Sequence, residues 1–190
     1  MEPLILASQS PRRSQLLSFY GIPFEVIPSL AEENDVTGPG DERVLELARR
    51  KAREVARRFP GRHVLAADTL VCIGERILGK PRDEKEAADM LRLLSGNTHS
   101  VYTGVCLIHE GGGEFCGVDH TAVTFRAWSD GDIARYVASG EPMDKAGAYG
   151  IQGAAGIMVE SIQGSPTNVI GLPLGLVTEL FQKAGLKYWP

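Results

Sequence analysis

The feature that most constrains the fold is a short apolar run near the start of the chain that leads directly into a helix signal. Residues 4–7 are all apolar and predict a buried strand. Ser10 and Pro11 are a favoured pair for the N-cap and the first position of a helix, so a helix is expected over residues 11–20. The chain therefore begins with a strand, a brief turn and a helix.

Two arginines, Arg12 and Arg13, lie in the first turn of that helix. A helix N-terminus already carries unpaired backbone N–H groups and a partial positive charge. More positive charge there is unfavourable unless an anion shares the site. We therefore predict a phosphate-binding site. Its donors would be backbone N–H groups, the hydroxyl of Ser8 or Ser10, and the guanidinium of Arg12 or Arg13.

Strands and helices alternate along the rest of the chain. Further helices are expected over residues 41–59, 83–94, 130–138 and 174–184, and further strands over 23–28, 63–73, 98–109, 114–127 and 157–162. Asp68 and Thr69 break the apolar 63–73 run. Asp83 and Glu86 form a plausible capping box for the second of these helices. The pattern predicts an α/β fold with a mixed, twisted sheet flanked by helices, in a single domain over residues 1–190.

Composition excludes several functional classes. A chain of 190 residues with 43% apolar content is long enough to bury a core. A net charge of −4 argues against a general nucleic-acid binder. No apolar run approaches the length of a signal peptide core or a membrane span, so no membrane association is expected. The three cysteines form no CxxC pair, which argues against a disulfide framework or a zinc site and suits a reducing cytoplasm.

Asp68 is the first candidate for catalysis or metal binding. It follows the apolar run 64–67, where a carboxylate would be costly to bury without a cation. Acidic residues at the carboxyl end of a buried strand are well placed for such roles, because α/β sites collect there. The alternative is a cap or turn residue whose carboxylate accepts hydrogen bonds from nearby backbone N–H groups.

Lys51 is the second candidate, because of its position around the predicted helix 41–59. At about 100° per residue, the apolar side chains of this helix share one broad face. Lys51 lies inside that face, between the angular positions of Val44 and Leu47. A lysine placed so either extends its ammonium group to solvent or meets an anion. We expect an anion.

Lys80 and two loop glutamates are candidate site residues only when they are considered together with the others. Lys80 lies between a glycine and a proline, a rigid setting that would suit a catalytic loop, although a solvated turn lysine also explains it. Glu32 and Glu33 are adjacent loop carboxylates of a kind that is usually solvated. They matter if a divalent ion is needed, since Mg²⁺ takes one or two carboxylates together with phosphate oxygens and water.

Glycine recurs every third residue at Gly147, Gly150, Gly153 and Gly156. Such a stretch lets the backbone approach a ligand closely. Gln152 lies between two of these glycines, where its amide could read a base edge or brace the loop. The chain has no GxxxxGK[ST] sequence, so it is no ordinary P-loop NTPase.

Five segments, in this order along nearly the whole chain, resemble the Maf family of nucleoside triphosphate pyrophosphatases, which belong with the inosine-triphosphatase-like folds. They are Ala7-Ser-Gln-Ser-Pro-Arg-Arg13, Ala66-Ala-Asp-Thr69, Gly79-Lys-Pro81, Leu94-Ser-Gly-Asn-Thr-His99 and Glu141-Pro-Met-Asp-Lys-Ala-Gly-Ala-Tyr-Gly-Ile-Gln-Gly153. The resemblance implies two lobes around a central cleft. It also implies hydrolysis of a nucleoside triphosphate to the monophosphate and pyrophosphate, with Mg²⁺ or Mn²⁺ as cofactor.

Residues 145–152 are similar to the branch of the family that acts on dTTP and UTP, whereas a sister branch prefers 7-methyl-GTP. A role in cleaning the nucleotide pool follows from this resemblance. Dimers are common in similar proteins, so a homodimer is one candidate assembly. CTP and modified pyrimidine nucleotides stay open as further substrates.

The resemblance also assigns roles to individual residues. The proton-accepting aspartate of the family corresponds to Asp68. The positions that set substrate specificity correspond to Arg12, Thr69 and Gln152, and the charged cleft residues to Glu33, Lys51 and Lys80. Asp68 and Glu33 are the expected metal ligands. Whether Asp68 acts as general base, metal ligand or both stays open.

Two other functional classes are compatible with the same residues. A nucleotidyltransferase would also use a basic loop and a metal-binding aspartate, but it would release pyrophosphate only with a second substrate. A non-catalytic regulator of septum formation would bind the triphosphate without turnover.

Overall fold

The computed structural model describes residues 2–33 and 35–187. The strands are β1 (Leu4–Leu6), β2 (Phe24–Val26), β3 (Val64–Ile73), β4 (Arg76–Leu78), β5 (Thr98–Ile108), β6 (Glu114–Phe125) and β7 (Val159–Gln163). The helices are α1 (Pro11–Ser18), α2 (Gly40–Arg58), α3 (Glu84–Leu94), α4 (Asp130–Ala138), α5 (Pro166–Ile170) and α6 (Leu174–Lys183). The longer elements match the prediction to within a few residues.

The strands form one mixed sheet in the order β2-β1-β3-β5-β6-β7, with β4 also paired to β3. The pairs β1–β2 and β1–β3 are parallel, and the remaining pairs are antiparallel. This confirms the predicted mixed sheet flanked by helices. In the described part of the chain, none of the helices combines the length and the apolarity that a membrane crossing needs.

Alternate residues of β3 face opposite layers, as the strand period of two requires. Val64 and Ala66 pack with the apolar face of α2. Leu65 and Ala67 pack on the other side with α1 and α6. A third apolar cluster lies around α3, α4 and the far end of β3. Continuing the alternation directs Asp68 toward α2 and Thr69 toward α1.

The cleft follows from incomplete pairing along one edge of β3. At that edge β1 pairs with Val64 and Leu65, and β4 pairs with residues 71–73, while β5 covers the opposite edge from Val64 to Cys72. The described strands leave residues 66–70 unpaired on the first edge. Because Asp68 lies within this interval, it borders the opening between the two flanking strands.

Helix α2 can lie close over β3 and β5 because Gly104 has no side chain. Gly104 pairs with Asp68 in the sheet, so the two residues share a face. A Cβ atom at Gly104 would lie 2.3 Å from the backbone oxygen of Val44 in α2. Val44 and Lys51 are seven residues apart and lie on the same stripe of the helix. The close approach at Gly104 therefore brings Lys51 down onto Asp68.

The structure corrects several local predictions. Asp68 and Thr69 interrupt the apolar pattern but not the predicted strand, because β5 pairs with β3 on both sides of them, so Asp68 lies within the strand and not at its carboxyl end. Asp83 accepts a hydrogen bond from the Glu86 N–H, but the Glu86 carboxylate binds Arg82 instead, so the capping box is incomplete. The predicted strand 157–162 begins at Val159, after a 3-10 segment. Strand β4 and helix α5 were not predicted.

The expectation of a single domain over residues 1–190 stays a prediction, and residues 1, 34 and 188–190 lie outside the described part.

Candidate active site

A cleft of about 950 Å³ opens beside the unpaired edge of β3. Its walls come from both ends of the chain and from the middle. Nine of the predicted site residues line it: Ser8, Arg12, Arg13, Glu33, Lys51, Asp68, Thr69, Lys80 and Gln152. Ser10 also lines the cleft, whereas Glu32 is not among the lining residues. The fold thus brings together residues separated by more than 140 positions in the sequence.

Lys51 forms the centre of the charged part of the cleft. Its Nζ atom lies 2.6 Å from Oδ1 of Asp68 and 2.9 Å from Oε1 of Glu33. The side chains of Lys51 and Asp68 are only 13% and 11% exposed, whereas that of Glu33 is 50% exposed. This confirms that the inward-facing lysine meets an anion. It also supplies the cation that a buried Asp68 requires.

The two adjacent arginines contact different parts of the protein. Arg13 donates to the Gly171 carbonyl oxygen at 2.7 Å, to Thr69 Oγ1 at 3.0 Å and to Ser8 Oγ at 3.3 Å. Burial lowers the pKa of its guanidinium, and the nearby Asp68 charge opposes that shift. Arg13 remains charged because its ordinary pKa is so high. It therefore joins α1 to β3 and to the loop after α5.

Arg12 points toward the other side of the cleft, where its guanidinium lies 3.1 Å from the Asp144 carboxylate. Its side chain is 29% exposed. Ser10 takes the predicted N-cap position of α1, yet its hydroxyl makes no capping hydrogen bond. Instead the Ser10 N–H donates to Ser8 Oγ at 3.1 Å. Of the two arginines, Arg12 is the one whose protein partner is an exposed carboxylate.

Thr69 belongs to a chain of hydrogen bonds behind the cleft surface. The Thr103 hydroxyl donates to the Asn168 carbonyl oxygen at 3.1 Å and lies 3.0 Å from Thr69 Oγ1. Because the Thr103 hydroxyl proton is donated to Asn168, Thr69 must be the donor in the hydrogen bond between the two hydroxyls. Its oxygen in turn accepts from Arg13. Thr69 thus presents a fixed oxygen to the cleft, with acceptor capacity left for a ligand.

The opposite side of the cleft is the glycine-rich wall, which we define as residues 141–156. It consists of 3-10 segments at Glu141–Asp144 and Ala146–Ala148, followed by turns and the start of the segment Ala154–Met158. Gln152 projects from this wall as an exposed side chain. Lys80 is exposed at the edge of the cleft, where the Gly79 carbonyl accepts from Gly147 N–H at 3.1 Å.

Side chains that the sequence did not single out support the glycine-rich wall. Glu141 Oε1 accepts from the Tyr136 hydroxyl at 2.9 Å, and Oε2 accepts from Ala154 N–H at 3.1 Å. Tyr136 also accepts from Gly150 N–H at 3.2 Å. A Cβ atom at Gly153 would lie 1.9 Å from the Glu141 carboxylate. The glycine spacing is therefore explained in part by close packing against Glu141, and not by ligand contact alone.

Lys145 completes this wall, with its Nζ atom 2.5 Å from the Glu141 carbonyl oxygen and 2.6 Å from Asp144 Oδ1. Hydrogen bonds to Lys145 and Arg12 lower the pKa of Asp144 against the effect of its partial burial. Arg43 of α2 also lines the cleft. No periodic pattern marks these residues in the sequence, although Glu141, Asp144 and Lys145 fall within the longest segment that resembles the Maf family.

Residues 3–184 match the family model described as Maf-like protein. The chain belongs to the Maf family. The match spans nearly the whole chain and confirms the resemblance carried by the five sequence segments. It also covers every residue of the cleft described above.

Three curated relatives of this Maf protein carry the name dTTP/UTP pyrophosphatase. The Myxococcus xanthus protein is 52% identical over 96% of this chain and 93% of its own length. The Thermococcus gammatolerans protein is 53% identical, with 93% and 94% covered, and the Deinococcus radiodurans protein is 48% identical, with 96% and 93% covered. A solved structure, the Staphylococcus aureus Ham1 protein, is 14% identical with a TM-score of 0.48 over 65% of this chain and 72% of that one. That overlap is too small to add to the family assignment.

The carboxylates of this Maf protein suit a hard divalent cation. Oδ1 of Asp68 and Oε1 of Glu33 both approach the Lys51 ammonium, so the two groups converge on one point of the cleft. Each carboxylate has a second oxygen besides the one bound to Lys51. Oxygen donors of this kind suit Mg²⁺ and Mn²⁺, which also take phosphate oxygens and water. The donor set therefore fits the predicted metal.

Proposed function

We propose that this Maf protein hydrolyses dTTP and UTP to the monophosphate and pyrophosphate. The observation that carries the proposal is the cluster of Lys51, Asp68 and Glu33 in a cleft that also presents Arg12 and Lys80. Its relatives of about 50% identity named dTTP/UTP pyrophosphatase support the choice of substrate. CTP and modified pyrimidine nucleotides are candidates for slower turnover.

The cations of the cleft match the charge of a triphosphate. Arg12 exchanges its exposed partner Asp144 for a phosphate oxygen, and Lys80 at the rim approaches without displacing a buried contact. Lys51 lies deeper, beside the carboxylates. Together these cations reduce the repulsion between the phosphates and an incoming polar nucleophile. They also balance the charge that develops on pyrophosphate as it leaves.

Asp68 is the general base of the proposed reaction. Lys51 holds one of its oxygens, which leaves the other to accept a proton from water. The water oxygen forms a bond to the α-phosphorus, and the bond from that phosphorus to the α,β-bridging oxygen breaks. The electron pair of that bond leaves with pyrophosphate, and the water proton passes to Asp68. Lys51 orients the Asp68 carboxylate before the substrate arrives.

Mg²⁺ or Mn²⁺ would be held by Asp68 and Glu33. The chemistry that a metal held there would supply is neutralisation of phosphate charge and polarisation of the α-phosphate. The exposed Glu33 can move toward the substrate, whereas Asp68 is fixed in its strand. Glu33 is therefore the ligand that adapts and Asp68 the one that defines the position.

Gln152 is the proposed reader of the pyrimidine. Uracil and thymine present carbonyl acceptors and an N–H donor on one edge, and the amide of Gln152 can donate and accept at once. Thr69 contributes an acceptor oxygen on the opposite side. A site that pairs polar groups discriminates strongly against bases with a different pattern. We propose that the cellular role of the protein is to clean the nucleotide pool in the cytoplasm. We expect it to bind neither nucleic acid nor membrane, and a homodimer is one candidate assembly.

A pyrophosphate-release assay tests the proposed reaction. Purified protein is incubated with single nucleotides (dTTP, UTP, CTP, ATP and dGTP) and Mg²⁺ or Mn²⁺. We expect release from dTTP and UTP without any second substrate, and loss of release on chelation of the metal. Release only after an acceptor is added would favour the nucleotidyltransferase alternative. Binding of the triphosphate without release would favour the regulator of septum formation.

A further inference from the structure

Two cysteines lie directly opposite each other in the hairpin β5–β6, away from the cleft lining. Cys106 of β5 pairs with Cys116 of β6, and their sulfur atoms are 2.6 Å apart. The His109 N–H donates to the Gly113 carbonyl oxygen at the head of the hairpin, which marks these two as a hydrogen-bonded pair. Pairs alternate along an antiparallel ladder, so Cys106 and Cys116 form a non-hydrogen-bonded pair with Cα atoms about 4.5 Å apart.

That spacing suits a covalent bond between the sulfurs. Disulfides join residues whose Cα atoms are roughly 4.4 to 6.8 Å apart, so this pair can be bridged without a change in strand register. Both side chains lie on the face of the sheet that packs against α2, since Cys106 belongs to the same apolar cluster as Ala48 and Ala52. The sheet thus holds the two thiols together even when they are reduced.

The two thiols differ in exposure and in the direction in which their pKa values are shifted. Cys106 is fully buried, whereas Cys116 is partly exposed. A hydrogen bond from Cys106 and the neighbouring Arg49 guanidinium lower the pKa of Cys116 against its burial. The same contact and burial raise the pKa of Cys106. Thiols that are accessible, ionised and next to a second cysteine are the ones that oxidants select.

We propose that Cys116 and Cys106 are a peroxide-reactive thiol pair that closes to an intrachain disulfide. The Cys116 thiolate sulfur attacks one oxygen of hydrogen peroxide, the O–O bond breaks, and the departing hydroxide takes up a proton to become water. Cys116 is then a sulfenic acid. The Cys106 sulfur attacks the Cys116 sulfur, the S–O bond breaks, and the hydroxyl leaves as water with the Cys106 proton. Two thiols are oxidised and one peroxide is reduced to two waters.

The alternative to oxidation is that this cluster binds a metal ion, because the Glu114 carboxylate lies beside both sulfur atoms and could be a third ligand. Arg53, however, binds both Glu114 oxygens, at 2.7 and 3.0 Å, and Arg49 lies 3.2 Å from one of them. A divalent cation would have to enter beside two guanidiniums that already neutralise the carboxylate. The Arg49 guanidinium favours a thiolate at Cys116, although the Glu114 carboxylate opposes it, and hydrogen peroxide carries no charge that the guanidiniums would repel. The arrangement therefore points to oxidation.

The native chain provides the main test and its internal control. Purified protein is treated with a few equivalents of hydrogen peroxide and analysed by thiol titration, intact mass and peptide mapping. We expect the loss of two of the three thiols, a mass lower by about 2 Da, and a linked peptide pair that dithiothreitol separates. Cys72, which is buried and whose pKa burial raises, should stay reduced. Cys72→Ser should therefore react like the wild type.

Two further variants distinguish the proposed order of events. Cys116→Ser should show no mass decrease and should react at least about tenfold more slowly, and Cys106→Ser should accumulate a sulfenic acid that dimedone traps. Arg49→Gln, outside the cleft lining, should slow the reaction several-fold because the thiolate loses its cation. Retention of all three thiols by the folded wild type would overturn the proposal. So would oxidation of Cys116→Ser at the wild-type rate, and neither result depends on pyrophosphatase activity.

Discussion

Lys51 and Asp68 reach the cleft from a 19-residue helix and a ten-residue strand, whereas Gln152 reaches it from turns and short 3-10 segments. On the wall formed by α2 and β3, ladders of backbone hydrogen bonds fix the positions of Lys51 and Asp68. On the second, the glycine-rich wall, the position of the backbone depends on the side chains of Tyr136 and Glu141.

This difference indicates that the two walls have separate functions. A reaction at phosphorus needs charges that are placed in advance, and regular elements supply that placement. Recognition of a base needs a surface that can be adjusted without disturbing those charges. The glycine-rich wall has its own supporting contacts, so changes there should alter which nucleotide is accepted while the chemical step is preserved. The following predictions test that separation, beginning with the largest effect.

Asp68→Asn should reduce kcat by about 10³-fold, because the amide keeps the shape of the side chain but cannot accept the water proton. The change removes one partner of Lys51 while Glu33 remains. The measurement is steady-state pyrophosphate release from dTTP. The exposed Asp89→Asn on α3 is a matched control that should leave the rate unchanged. Full activity of a folded Asp68→Asn protein would refute the role of Asp68 as base.

Lys51→Met should lower kcat by about 10²-fold and the free energy of unfolding by about 3 kcal/mol, because it leaves the Asp68 carboxylate largely buried without its cation. Pyrophosphate release and urea denaturation measure the two effects. Lys85→Met, on the exposed side of α3, should change neither quantity. If Lys51→Met behaved like Lys85→Met, the pairing with Asp68 would have no energetic importance.

Tyr136→Phe should change selectivity and not the chemical step. It removes the hydroxyl that joins Glu141 to the Gly150 N–H, so the glycine-rich wall loses part of its support. We expect the ratio of kcat/KM for dTTP over dGTP to fall by about tenfold, with kcat for dTTP within a factor of about two. Tyr102→Phe, outside the cleft lining, serves as the control. An equal loss on both nucleotides would argue against a selective wall.

Acid should weaken the same wall through His99, which is buried and hydrogen-bonded to the Tyr149 hydroxyl at 2.8 Å. Burial lowers the pKa of His99 from 6.5 to about 4. Below pH 6.5 the imidazole of His99 is therefore protonated in the unfolded chain but stays neutral in the folded chain. The free energy of unfolding consequently decreases as the pH is lowered from 6.5 to about 4. This contribution should amount to about 1 kcal/mol between pH 7 and 5.5.

Thermal denaturation of wild type and His99→Phe across that pH range isolates the effect from the carboxylates. The variant should lose less stability on acidification than the wild type, by a difference of a few degrees in Tm. Exposed His120→Asn is the matched control. Parallel pH curves for wild type and His99→Phe would contradict the assignment.

The sequence was most informative where backbone periodicity carries the signal. The helical angle of Lys51 alone indicated an inward ammonium that meets an anion, and the structure confirms its contacts with Asp68 and Glu33. The alternation of strands and helices likewise predicted the layers of the fold. For Asp68 the sequence predicted the strand over residues 63–73 but placed the carboxylate at the end of a strand, whereas it lies in the middle of β3. Its pairing with Gly104 of β5, 36 residues further along the chain, leaves no local pattern in the sequence.

The glycine-rich wall shows why the rest could not be predicted. Its 3-10 segments are too short to create a period, and the hydrogen bonds of Tyr136 and Glu141 run between residues with no shared local pattern. The resemblance to the Maf family located the segment without explaining its glycines. Only the structure shows that Gly153 leaves room for the Glu141 carboxylate. The different contacts of Arg12 and Arg13 could not be predicted from the sequence either, because their partners Asp144 and Gly171 lie more than 130 residues away.

In the proposed reaction, the wall formed by α2 and β3 performs the chemistry and the glycine-rich wall selects the base. The most direct test is kcat/KM for dTTP and dGTP measured side by side in Asp68→Asn and Tyr136→Phe. We predict that Asp68→Asn loses activity on both nucleotides by the same factor, so that their ratio stays at the wild-type value, while Tyr136→Phe changes the ratio and keeps kcat. A changed ratio in Asp68→Asn, together with an unchanged ratio in Tyr136→Phe, would contradict the account.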